Sequence, residues 1–136
     1  MPDQIHFNYL AVFAAALSAF MLGGLWYAPG VFGRAWMSEC GFTEDGLKKM
    51  GGMARIFGLS FALELVMAFN LAAFLGPKAS LAFGTFAGCA AGFGWVMLSY
   101  GVTYLFERRS LRMLLINGGY HAVAMTIMGA ILGAWR

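Results

Sequence analysis

The chain has 136 residues, 61% of them hydrophobic and only 11% charged, with a net charge of +3. A soluble domain carries about 25% charged residues, so this composition excludes a soluble globular domain, whose surface needs far more polar cover. The basic excess is no argument for nucleic acid as a partner, because the charges are clustered and leave long apolar runs between them.

A helix crosses a hydrocarbon core of about 30 Å with about 20 predominantly apolar residues. The first run of that kind covers residues 7–28 and has no charge. The small residues of "FAAALSAF" loosely suit a cleavage site, but "MPDQIH" has no Lys or Arg. A signal peptide carries a positive n-region, so a retained helix is expected here. It ends in "LWYAPGVFGRAW", residues 25–36. Pro29 lacks an N–H and restricts Ala28, which stops the helix. Trp26 and Tyr27 then fall at the membrane interface, where an apolar ring with a polar tip is favoured. Phe32 and Trp36 are four residues apart, with Arg34 between them. That spacing suits a short element lying flat in the headgroup region. All four rings are read as interfacial anchors, with a docking or gating elbow as the sharper alternative.

The linker at residues 29–55 reads as a solvated piece. Thr43 can cap a helical turn, and Glu44 and Lys48 stand at i and i+4. Gly46, Gly51 and Gly52 weaken any long helix. Three more runs follow, at residues 56–76, 81–106 and 113–135. The second run holds one charge, Glu64, and the other two hold none. Membrane β-barrels show alternating segments of about ten residues, whereas these runs are long and rich in Ala, Leu, Met and Gly. The fold expected is therefore all-α and integral to the membrane: one domain over residues 1–136 with four transmembrane helices in a compact bundle.

Orientation follows from the basic residues. Arg34, Lys48, Lys49 and Arg55 lie in the linker, and Arg108, Arg109 and Arg112 precede the fourth helix. Only Lys78 and Arg136 lie on the other side. Cytoplasmic loops collect Lys and Arg, so both basic loops are expected in the cytoplasm and both termini outside. The same basic fringe attracts anionic lipid headgroups.

Small residues let transmembrane backbones approach closely. Ala11, Ala15, Ala19 and Gly23 recur at steps of four in the first helix, as do Gly84, Gly88 and Gly92 in the third and Gly129 and Gly133 in the fourth. These stripes are expected to serve helix packing or an oligomer interface, and their number favours a homodimer or larger.

Glu64 is the most informative residue. A charge at mid-bilayer costs about 2.5–3.5 kcal/mol on insertion scales, so Glu64 must be protonated, paired or facing water. His121 lies at a similar depth in the fourth helix, which runs the same way as the second. A Glu64–His121 contact is therefore geometrically allowed, and such a pair can exchange a proton near neutral pH. Asn117 lies one turn from His121. Ser99, Tyr100 and Thr103 on the third helix reach its depth. Glu64, His121, Asn117 and Tyr100 are thus the candidates for a proton or ligand site. The competing reading is interhelical hydrogen bonding alone. Tyr120 is as readily a packing residue as a ligand, Asn70 falls on another face, and His6 and Asn8 sit near the outer interface. No metal, cofactor or disulfide is expected. The only histidines are His6 and His121, at different depths, and Cys40 and Cys89 should not meet. The ten methionines scatter through the helices as packing groups. There is no phosphate loop, nucleophile motif or nucleotide fingerprint.

"LWYAPGVFGRAW" and "LFERRSLRMLLINGGYH" resemble the bacterial domain-of-unknown-function family 1761, and the resemblance covers almost the whole chain. It implies a small four-helix protein of the bacterial cytoplasmic membrane and supplies no catalytic residues. Three functions remain open. The chain is a channel or carrier for protons, ions or a small polar solute, an accessory or assembly subunit of a larger membrane complex with a membrane-protein partner, or a membrane enzyme acting on a lipid or quinone. The first two stand ahead of the enzyme.

Overall fold

The structure, a computed structural model, describes residues 7–135. His6 and Arg136 lie outside the described residues. The described chain is all-helical. Its elements are α1 (Tyr9–Trp26), α2 (Arg34–Cys40), α3 (Glu44–Met50), α4 (Met53–Leu75), α5 (Leu81–Ala91), α6 (Leu98–Glu107) and α7 (Leu111–Ala134). A π-helical stretch, Gly92–Met97, joins α5 to α6, so the three form one rod from Leu81 to Glu107. With α1, α4 and α7 it makes four helices long and apolar enough to cross a membrane.

Local chemistry sets the ends of these helices. Four of them begin at a side-chain oxygen that accepts a backbone N–H: Asn8 for α1, Thr43 for α3, Ser80 for α5 and Ser110 for α7. Each such bond satisfies one of the unpaired donors of a first turn. The helix α3 closes at Gly51 and α4 opens after Gly52, both at positive φ (65° and 73°), which costs a glycine little. The linker is therefore two short helices, α2 and α3, rather than a loop, and α4 starts at Met53.

The helix α7 is the centre of the bundle. It packs against the α5–α6 rod on one side and α1 on another, while α4 leans mainly on α1. Aromatic edges carry the α1–α4 contact: Phe20 meets Phe57 and Phe61, and Phe13 meets Phe61, with centroids 5.7–6.1 Å apart. The glycine stripes interlock within the chain. A Cβ on Gly84 would strike the carbonyl of Gly129, one on Gly88 that of Met125, and one on Gly133 that of Ser80. Ala11, Ala15 and Ala19 are fully buried in the same core. The small residues singled out in the sequence are thus occupied in packing inside one copy.

The π stretch serves this packing. A four-residue step drifts about 40° around an α-helix that turns 100° per residue. Positions 84, 88, 92, 100 and 104 would spiral off one face over that length. The wider i→i+5 turn rotates less per residue and takes up part of the drift. Gly84, Gly88 and Gly92 therefore face α7, and so do Tyr100 and Tyr104 beyond them.

Candidate functional site

Glu64 lies in the middle of α4 on the same face as Ala68, Leu71 and Leu75, the buried side of that helix. Its partner is Tyr120 of α7. The Tyr120 hydroxyl stands 2.6 Å from Glu64 Oε1 and 2.7 Å from the carbonyl oxygen of Ala19 in α1. Small residues on α1 make room for the phenol: a Cβ on Gly23 would sit 3.2 Å from that hydroxyl. Glu64 Oε2 is buried and has no hydrogen-bond partner.

Counting protons gives this arrangement its chemistry. A tyrosine hydroxyl has one proton to donate, and a carbonyl oxygen can only accept. If Tyr120 donates to Ala19, the bond to Glu64 needs a proton on the carboxyl group. Both short contacts are full hydrogen bonds when Glu64 is a neutral carboxylic acid. A buried carboxylate with one oxygen unpartnered would be far more costly.

His121 turns elsewhere. Successive residues on a helix point about 100° apart, so Tyr120 and His121 cannot both face α4. The His121 Nε2 lies 3.2 Å from the Tyr100 hydroxyl of α6, and the two rings stack with centroids 5.4 Å apart. The Glu64–His121 contact allowed by their matched depth is replaced by two separate pairs, Glu64–Tyr120 and His121–Tyr100. The Tyr120 and His121 rings still meet edge to face, 4.8 Å between centroids.

Toward the basic end of the bundle, Asn117 ties three helices together. Its Oδ1 accepts from the Tyr27 hydroxyl at 2.7 Å, and its Nδ2 donates to the Tyr104 hydroxyl at 2.8 Å. Trp26 Nε1 donates to the Ile116 carbonyl at 2.9 Å. The Trp26 and Tyr27 rings thus turn inward onto α7 at the end of their helix. Phe32 packs on Trp26 and Trp36 on Tyr27. The turn needs a glycine at Gly33, where any Cβ would strike the Tyr27 and Ala28 backbone. Below it, Glu39 accepts from the Ser110 hydroxyl at 2.8 Å, and Arg112 lies 3.9 Å from the same carboxylate. Burial pushes the neighbouring Cys40 thiol above its ordinary range, with Arg109 opposing and Glu39 adding to the rise.

The sequence candidates therefore divide. Glu64, His121, Asn117 and Tyr100 all sit in one aromatic and polar layer. Ser99 and Thr103 are exposed, and Ser99 bonds back to the Trp95 carbonyl of its own turn. Asn70 is exposed on α4. Sequence reasoning missed Tyr104 and the bridging role of Tyr120 and Tyr27. Their one signal was position, since all three fall at the depth of a candidate already named. Among the described residues Cys40 and Cys89 are free.

A separate groove of about 560 Å³ lies between α4, α5 and α7. Met67, Phe74, Phe86, Trp95 and Met125 line it, with Asn70 as its polar side chain. It is bounded by residues one turn beyond Glu64 and His121 and does not include either of them.

A family described as protein of unknown function (DUF1761) matches residues 10–133. The chain belongs to that family. No curated protein and no solved structure matches it.

Proposed function

We propose that this member of the family spans the bacterial cytoplasmic membrane four times, with both basic loops in the cytoplasm and both termini outside. We further propose that it carries protons, alone or with a small polar solute. Glu64 is the group that takes up and releases the proton, and Tyr120 is its immediate partner. The observation that carries this reading is the Tyr120 hydroxyl between two acceptors, 2.6 Å from Glu64 and 2.7 Å from Ala19. That arrangement is best satisfied by a carboxylic acid held inside an apolar bundle. A glutamine would bridge to Tyr120 equally well. What the acid adds is a removable proton, and ionisable groups within spans mark proton and ion pathways. The layer of Tyr27, Asn117, Tyr104, Tyr100 and His121 supplies polar groups between Glu64 and the basic end.

Proteoliposomes test it. With an imposed pH gradient and a potassium diffusion potential, an internal pH dye should report faster proton entry with the protein than without. Glu64→Gln should remove most of that increment while the protein remains folded. A wild-type rate equal to that of empty vesicles overturns the reading.

A second reading, an accessory or assembly subunit, is favoured by the enclosure of Glu64, which is 9% exposed. It takes first place if the vesicles show no flux and the protein co-purifies with a fixed membrane partner. The lipid- or quinone-enzyme reading has less support, because the lateral groove does not touch Glu64 or His121.

A further inference from the structure

The groove between α4, α5 and α7 is elongated and has one polar end. Its walls run along the helices, from Phe74 and Phe83 beside the α4–α5 turn to Trp95 and Val96 in the π stretch. The wall at residues 83–96 is about 20 Å long, at a rise of about 1.5 Å per residue. It covers more than one leaflet of a hydrocarbon core about 30 Å thick. Phe74, Phe86 and Trp95 line the groove and are exposed, so it opens sideways toward lipid. Its volume of about 560 Å³ falls within the usual range of small-molecule sites, about 300–1,000 Å³. This shape suits a guest that is long, narrow and parallel to the helices.

Two polar groups mark the end near the turn. Asn70 lines the groove, and its amide makes none of the side-chain hydrogen bonds found among the described residues. By helical rise it lies about 8 Å inward from the end of α4. Lys78 stands in the turn between Leu75 and Leu81. It is exposed, and it is the one charged residue at that end of the bundle among the described residues. It joins neither of the ion pairs found among them.

An amide without a partner in hydrocarbon is costly, and its N–H groups call for an acceptor. A lysine at a membrane edge lifts its ammonium to the headgroups, where it attracts anions. Cation, amide donor and apolar channel thus follow one another inward from the turn. A phospholipid presents the matching order: phosphate, ester carbonyl, acyl chain. A fatty acid has no second acceptor beyond its carboxylate, and a quinone has no charge for Lys78. We propose that the groove holds an acyl chain of an anionic phospholipid, with Asn70 donating to its ester carbonyl and Lys78 paired with its phosphate. The proposal rests on the membrane-spanning reading but not on proton transport.

Trp95 lines the groove and supplies the readout. The protein is placed in mixed bilayers of phosphatidylglycerol and phosphatidylethanolamine, with one or the other lipid brominated at mid-chain to quench indole emission. The Trp95 signal is the difference between wild type and Trp95→Phe. Phosphatidylglycerol should quench it at a mole fraction lower by about fivefold, the size of one lysine's attraction to anionic lipid. Lys78→Gln should abolish that preference, and Lys49→Gln, at the other end of the bundle, should keep it. Asn70→Leu should narrow it, and Ala90→Phe, which fills the groove, should remove it. All four positions are exposed, so none of these variants disturbs the core. Equal quenching by the two lipids at every mole fraction would mean ordinary surrounding lipid only, and would overturn the proposal. So would a preference that survives Lys78→Gln, or a signal that only a long-chain quinone quenches. Because the readout is Trp95 emission, its failure is distinct from a failure of the flux experiment.

Discussion

Tyr120 holds Glu64 across the gap between α7 and α4 at 2.6 Å, while the same hydroxyl reaches the Ala19 carbonyl of α1 at 2.7 Å. One phenol thereby joins three helices, and it does so around a carboxyl group whose other oxygen has no partner.

Substituting Tyr120→Phe should destabilise the fold by about 1–3 kcal/mol, the cost of leaving a buried polar group unsatisfied. Adding Glu64→Leu to that variant should recover much of the loss, since replacing both partners with apolar groups removes the orphan. Glu64→Gln alone should change stability by less than about 1 kcal/mol, because its amide can donate to Tyr120. Unfolding titrations of the wild type, Tyr120→Phe, Glu64→Leu and the double variant close the cycle, with Glu64→Gln measured beside them.

The glycines should split by what faces them. Gly88→Ala places a Cβ against the Met125 backbone, which cannot swing aside. A loss of about 1–3 kcal/mol or more is expected, the range for overpacked cores. Gly58 has open space around its position on α4. Gly58→Ala should leave stability unchanged or raise it by about 0.5–1 kcal/mol, through helix propensity. Thermal unfolding in one detergent checks both, and equal behaviour of the two would contradict the interlocked seam between α5 and α7.

The Cys40 thiol, raised by burial, should label slowly with a maleimide at about pH 7.5, since only the thiolate reacts. The rate should climb as pH rises beyond the ordinary cysteine range. Arg109 stabilises the thiolate. Arg109→Gln should therefore push the thiol higher still and slow labelling at every pH below the new midpoint. Labelling rates in a Cys89→Ala background give the profile directly.

Much of the architecture is legible in the sequence for one reason: apolar length. Charge is so scarce that the few charged residues outline the helices by their absence. Glu64 is legible for the same reason, as the single charge inside a run. Its partner is not. Matched depth made His121 the candidate, but depth is one coordinate and azimuth the other. Tyr120 and His121 share a depth and point about 100° apart. Which of them faces α4 depends on how α7 is rotated among its neighbours, and the sequence of α7 does not state that. Tyr120 was also hidden by its chemistry, because a tyrosine in an aromatic-rich chain reads equally as packing.

The glycine stripes show the same limit from the other side. Gly84, Gly88 and Gly129 declared close approach, and only the fold told which helix they approach. The π stretch from Gly92 to Met97 left no advance signal beyond two glycines, yet it keeps Tyr100 and Tyr104 on the α7 side.

The most direct measurement is an infrared spectrum of the reconstituted protein near neutral pH, compared with Glu64→Gln. If Glu64 is a neutral acid bonded to Tyr120, the wild type shows a carboxylic C=O band that shifts in deuterated water. That band is missing from the Gln variant and displaced in Tyr120→Phe. If the wild type shows no such band and the variant loses only carboxylate absorption, Glu64 is ionised in the bundle, and the proton-carrying role assigned to it is contradicted.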